Sequence, residues 1–142
     1  MKGPIKRKKP SYKYNTALLI DDNELDNFIN QKIIESNFFA QTVYINSNGI
    51  SALELLKNLS VNQNFSKSLI PDIIFVDINM PFMDGFQLLE HILQFPEKIM
   101  KKCKLVVLTS SINPEDRIKI SRLSSEILFI NKPLTDQSLA SI

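Results

Sequence analysis

The chain has 142 residues, a single cysteine (Cys103) and a 44% hydrophobic content, which fits one globular domain with its own core. One cysteine excludes an internal disulfide and an all-cysteine metal site, no apolar run reaches the ~18 residues of a membrane span, and the start lacks the apolar stretch of a secretory signal. The formal net charge of +2 hides an asymmetry: residues 1–14 carry six basic side chains and no acid, and the rest carries eleven basic against fifteen acidic side chains. A flexible basic arm is expected over 1–14 and an acidic folded domain over 15–142. The positive total is therefore not read as a nucleic-acid-binding surface, and a cytoplasmic, reducing setting is expected.

After the arm, with its Pro4 and Pro10, residues 16–20 read as a buried strand ending in Asp21-Asp22. Residues 24–36 read as a helix capped by Asp22 or Asn23, with Leu25, Phe28, Ile29, Ile33 and Ser36 on one face at helical spacing. Thr42 to Ile45 is a second strand, Ser47-Asn48-Gly49 a turn, and Ser51 to Leu59 a second helix with Leu53, Leu56 and Leu59 or Leu55 inward. Residues 60–70 form an Asn- and Ser-rich loop that Pro71 closes before the strand Ile73 to Val76. Phe86 to Phe95 is a third helix between Gly85 and Pro96, and residues 97–104 a lysine-rich connection. Leu105 to Leu108 is a fourth strand, Pro114 opens a helix to about Leu123, Ile127 to Ile130 is a fifth strand, and Leu134 to Ser141 is a short last helix. This is a (βα)5 pattern. Its nearly continuous apolar strands predict an open, doubly wound parallel sheet covered on both faces.

Four of these strand-like runs, those before Asp21, Asp77, Thr109 and Asn131-Lys132, deliver a polar or charged group at the carboxyl end, where an open parallel sheet builds its site. Asp21, Asp22 and Asp77 are expected to converge there. Gathered carboxylates repel: at about 4 Å and an effective dielectric near 20, one like-charged pair costs roughly 4 kcal/mol. Mg²⁺ relieves that cost, prefers oxygen ligands and commonly bridges carboxylates to phosphate. Singly, these acids could be caps of a helix or loop. Together with Thr109 and Lys132 they read as a site for Mg²⁺ and a phosphoryl group.

The segment Asp77-Ile78-Asn79-Met80-Pro81-Phe82-Met83-Asp84-Gly85, with Asp21-Asp22, Thr109 and Lys132-Pro133, resembles the receiver domain of two-component response regulators, of the stand-alone, chemotaxis-regulator type. The resemblance covers about residues 16–141. It implies a flavodoxin-like sheet in strand order 2-1-3-4-5. It implies Asp77 as phosphoacceptor, Asp22 as a direct Mg²⁺ ligand, Asp21 acting partly through water, and the Asn79 carbonyl as a further ligand. Thr109 becomes the switch hydroxyl, Lys132 the phosphate-contacting cation and Phe129 the aromatic switch position. Pro133 is expected to follow a cis peptide. Pro81 and Met80 are expected to shape the loop beside Asp77, Met83 to pack, and Gly85 to occupy a turn with positive φ.

An aspartate carboxylate can attack phosphorus to form an acyl phosphate, while a metal and Lys132 offset charge on the transferring oxygens. The chain has no ATP phosphate loop, so the expected donor is a phosphohistidine on a histidine kinase or a histidine phosphotransfer protein. His91, the one histidine, lies within a helix and reads as structural or exposed. Self-catalysed phosphotransfer with slow autodephosphorylation is expected, with Asn79 and Ser111 placed to tune the lifetime. Output is expected through contacts with a downstream protein that the sequence does not identify. No membrane insertion and no nucleic-acid partner are expected, and any homodimer through the last helical face is expected to be weak. Ser124-Ser125-Glu126 departs from the Gly-Ala-like turn of many receivers. Two other readings compete: a phosphorylation-independent interaction module with the receiver fold, and an Asp-nucleophile phosphatase. Asn79, standing where that phosphatase needs a second aspartate, argues against the latter.

Overall fold

The computed structural model describes residues 10–61 and 70–142. Most of the basic arm, residues 1–9, and most of the polar loop, residues 62–69, lie outside the described residues. Along the chain run β1 (Tyr14–Ile20), α1 (Glu24–Ser36), β2 (Ala40–Asn46), α2 (Gly49–Val61), β3 (Ile73–Val76), α3 (Gly85–Ile92), α4 (Glu97–Met100), β4 (Lys104–Thr109), α5 (Pro114–Leu123), β5 (Leu128–Asn131) and α6 (Asp136–Ala140). The five strands form one parallel sheet in the order β2-β1-β3-β4-β5, as the family resemblance implied. Among the described residues, no helix is long and apolar enough to cross a membrane.

The central strands are apolar on both sides because both sides are covered. Leu18, Ile20, Ile74, Val76, Leu105 and Val107 pack with Leu53, Leu88 and Ile120 from α2, α3 and α5. Their alternates Ala17, Leu19, Ile73, Phe75, Val106 and Leu108 pack with Ile34 and Leu139 from α1 and α6. Strand side chains alternate by face, so the central strands β1, β3 and β4 each feed two cores.

Several local readings change. β1 begins at Tyr14, whose ring meets Phe39 edge-on while its backbone pairs with Ala40. α2 begins at Gly49, because the Asn48 carboxamide accepts from the amides of Ile50 and Ser51. The lysine-rich connection contains the single turn α4, which buries Ile99. α1 has the expected bounds, with Asn23 as its cap, but of the expected inward face only Ile33 packs against the core. Leu25 and Phe28 are exposed, whereas Asn27, Asn30 and Ile34 are buried. The two asparagines are inside because each satisfies buried backbone. Asn27 donates to the Asp21 carbonyl at 2.8 Å, and Asn30 accepts from the Leu134 amide at 3.1 Å.

Gly85 also differs from expectation. No glycine has positive φ among the described residues. Gly85 is required by proximity instead: a Cβ there would stand 2.5 Å from the Asp77 carbonyl oxygen and 2.6 Å from the Ile78 Cα. The left-handed residue of this loop is Phe82, with φ of 67°. α3 then starts with a reciprocal cap in which Asp84 and Gln87 exchange side-chain and backbone hydrogen bonds.

Candidate functional site

The carboxyl ends of β1, β3, β4 and β5 meet at one edge of the sheet. Asp21 follows β1 directly, and its amide donates to the Asn46 carbonyl. Asp77 follows β3, and its amide donates to the Ile20 carbonyl at 3.0 Å. Those two bonds fix both aspartates against neighbouring strands. Asp22 lies on the solvent side, while Asp21 and Asp77 are buried. One carboxylate oxygen from each of Asp21, Asp22 and Asp77 lies within 4.8 Å of the others. Asn79 is exposed beside them, and its amide approaches Asp77 Oδ1 at 3.4 Å.

Lys132 supplies the cation. It follows β5, and its amide donates to the Thr109 carbonyl at 2.8 Å. The peptide to Pro133 is cis. Lys132 Nζ lies 2.5 Å from Asp21 Oδ2, 2.8 Å from Asp26 Oδ2 and 3.2 Å from Asp77 Oδ2. Burial alone would lower the lysine pKa. The hydrogen bonds to Asp21 and Asp26, with the charges of Asp77 and Asp21, outweigh burial and raise it. Asp21 is also raised, first by burial and then by the charge of Asp77, against the lowering contacts of Lys132 and the Asn23 amide. The two directions agree physically. Three carboxylates share one ammonium, so the ammonium keeps its proton while the most buried carboxylate is under-compensated.

This imbalance is a test of fit for a metal. The donors are hard oxygens, two of them on buried carboxylates, and among the described residues the local negative charge exceeds the positive. A small divalent cation such as Mg²⁺ suits that donor set. Thr109 is fully buried at the end of β4, and its Oγ1 accepts from the Ser111 amide at 3.2 Å. The hydroxyl proton is left to donate elsewhere.

The β4–α5 loop is tied from two sides. Ser111 Oγ donates to Asp116 on α5, and the Asn131 carboxamide donates to the carbonyls of Ser111 at 2.7 Å and Thr109 at 3.3 Å. Phe129 is half-buried on β5, with the Arg117 guanidinium 4.5 Å from its ring centroid. Pro81 is exposed in the loop after Asp77, and Met83 packs against the core as expected. His91 is exposed on α3. Sequence reading did not single out Asp26 or Asn131. An acid in the first turn after an asparagine cap looks like an ordinary helix start, and only the fold brings it to Lys132.

The response regulator receiver domain family matches residues 17–142. The chain belongs to that family. Response regulator Rcp1 of Synechocystis sp. is 30% identical over 101 residues, 71% of this chain and 65% of Rcp1. The sensor histidine kinase CheAY of Helicobacter pylori is 30% identical over 126 residues, 89% of this chain but 14% of that protein. The chain therefore spans less than two thirds of either relative. Chemotaxis protein CheY of Halobacterium salinarum is 25% identical over 87% of this chain and 88% of its own length. Among solved structures, a two-component response regulator from Cytophaga hutchinsonii superposes with a TM-score of 0.76 at 30% identity, covering 89% of this chain and 92% of that one. The Mn(2+)-bound form of Rcp1 shares the fold, with a TM-score of 0.68 at 24% identity over 89% of this chain and 87% of its own.

Proposed function

We propose that this receiver accepts a phosphoryl group on Asp77 in a Mg²⁺-dependent reaction and signals by altered contacts with another protein. The observation that carries this reading is the buried, under-neutralised carboxylate set of Asp21 and Asp77 beside exposed Asp22, with one ammonium facing it. Asp22, Asp77 and the Asn79 carbonyl would hold the metal, with Asp21 acting partly through water. When bound, Mg²⁺ supplies positive charge against the oxygens of the transferring group.

The rest of the chemistry belongs to the side chains. An Asp77 carboxylate oxygen attacks phosphorus, the bond from phosphorus to the donor's imidazole nitrogen breaks, and an acyl phosphate forms. The donor is a phosphohistidine on a histidine kinase or a phosphotransfer protein, because the chain has no ATP phosphate loop. Lys132, already 3.2 Å from Asp77, pairs with a phosphoryl oxygen. Thr109 donates its hydroxyl proton to another. Moving Thr109 pulls on the loop through Ser111, and β5 with Phe129 lies next in the sheet. Phosphorylation thus biases a two-state element toward a different surface at α5, β5 and α6.

Amide NMR with beryllofluoride and Mg²⁺ tests the reading, since beryllofluoride stands in for the phosphoryl group. Shifts at Asp77, Thr109 and Phe129 that require Mg²⁺ are expected, and Asp77→Asn should abolish them. A folded wild-type protein with no shift at these positions would favour the phosphorylation-independent interaction module.

A further inference from the structure

Lys132 faces three carboxylates, and only two of them belong to the metal-facing set. Asp21 and Asp77 fall among the acids whose oxygens lie within 4.8 Å of one another; Asp26 falls outside that group. Asp26 sits in the first turn of α1, where its amide donates to Asn23 Oδ1 at 3.0 Å. Its carboxylate is therefore carried by a capped helix end rather than a loose loop. Its side chain is 33% exposed, against 6% for Asp21 and 7% for Asp77.

A divalent cation would draw on the carboxylates of Asp21 and Asp77, and the Lys132 ammonium already contacts Oδ2 of each. An ammonium with no other partner stays on them and opposes metal binding. Asp26 already accepts from the ammonium at 2.8 Å from the more exposed rim of the pocket, beside the 2.5 Å contact to Asp21, and so gives it a partner that remains when a cation takes up the other two carboxylates. We propose that Asp26 is a positioning residue for Lys132: its carboxylate holds the ammonium at the pocket edge, freeing Asp21 and Asp77 for a divalent cation while keeping the ammonium in reach of an incoming phosphoryl group. This rests on the Mg²⁺-dependent phosphoacceptor reading above. An ordinary helix-start acid at the same position would affect stability and would act on a metal only by its charge through space.

The test is Mg²⁺ titration of the unphosphorylated full chain by amide NMR, for wild type, Asp26→Asn, Lys132→Met and the double variant. Asp26→Asn should weaken Mg²⁺ binding by about threefold or more, and most of that loss should vanish in the Lys132→Met background. Equal weakening in both backgrounds, or none in the first, overturns the inference. The lysine side-chain resonances keep the test sharp if Lys132→Met does not fold. In Mg²⁺-loaded wild type, the Lys132 ε-methylene protons should be inequivalent, as in a fixed chain. Asp26→Asn should merge them with the free-lysine envelope, and an unmoved signal counts against Asp26. If wild type itself binds no Mg²⁺, the phosphoacceptor reading falls, and this inference with it.

Discussion

Gly85→Ala separates two explanations of why glycine stands eight residues after Asp77. A Cβ at position 85 would meet the Asp77 carbonyl oxygen at 2.5 Å and the Ile78 Cα at 2.6 Å, where ordinary contact begins at 3.4 Å. Both neighbours are backbone, so no side-chain rotation relieves the overlap. The Gly85 amide also donates to the Ile78 carbonyl at 3.0 Å, which resists any displacement of α3. Overpacking of this kind costs about 1–3 kcal/mol, and rigid neighbours on two atoms place this case at the upper end. Alanine recovers at most about 1 kcal/mol of helix propensity at the start of α3. The net loss should be about 2–3 kcal/mol, or about 6–10 °C in melting temperature for a chain of this size. Thermal and urea unfolding followed by far-UV circular dichroism measure it. Gly85→Asn sharpens the result. Were a left-handed backbone the constraint, asparagine would be better tolerated than alanine; under the close-approach argument it costs at least as much. A Gly85→Ala protein melting within about 2 °C of wild type, or an asparagine variant clearly more stable than the alanine one, would refute the reasoning.

Two further outcomes follow from buried groups. Asn30→Leu removes the acceptor of the Leu134 amide and should cost about 1–3 kcal/mol in urea unfolding, even though it adds apolar area. Burial, and then the charge of Asp72, push the Cys103 thiol up from 9.0 to about 12. Near pH 8 its thiolate fraction should be about a thousandfold below that of a free cysteine, so alkylation read by mass should be far slower in the native than in the urea-unfolded protein. The folded pKa lies above the unfolded one. The thiol therefore leaves stability undiminished below about pH 9, and stability is lost as pH rises through about 12. Native labelling within about tenfold of the unfolded rate would contradict the burial.

How far the sequence could be read depended on what kind of force fixed each feature. Runs such as Ile73 to Val76 and Leu105 to Leu108 are apolar on both faces, so the covered parallel sheet was legible from hydrophobicity alone. Pro114 and Asn23 mark helix starts by local chemistry and placed α5 and α1 correctly. The inward face of α1 was not legible, because Asn27 and Asn30 are buried by hydrogen bonds to Asp21 and Leu134 that only the assembled fold supplies. Gly85 was identified as special for the wrong reason, since a close approach across a loop leaves the same residue in the sequence as a positive φ does. At the site, Asp21, Asp22, Asp77 and Lys132 come together where strand ends predicted. Asp26 escaped because an acidic first turn is common and its partner is 106 residues away. The turn α4 escaped because four residues carry too little periodicity to separate from a loop.

The central claim is that Asp77 takes up a phosphoryl group with the help of a divalent cation. Incubating the protein with acetyl phosphate and Mg²⁺ and recording the intact mass tests this most directly, with Asp77→Ala and a chelator-treated sample alongside. One phosphoryl adduct in wild type with Mg²⁺, and none in the other two, is the predicted result. An equal adduct on Asp77→Ala, or a folded wild-type protein that stays unmodified with Mg²⁺ present, would contradict it.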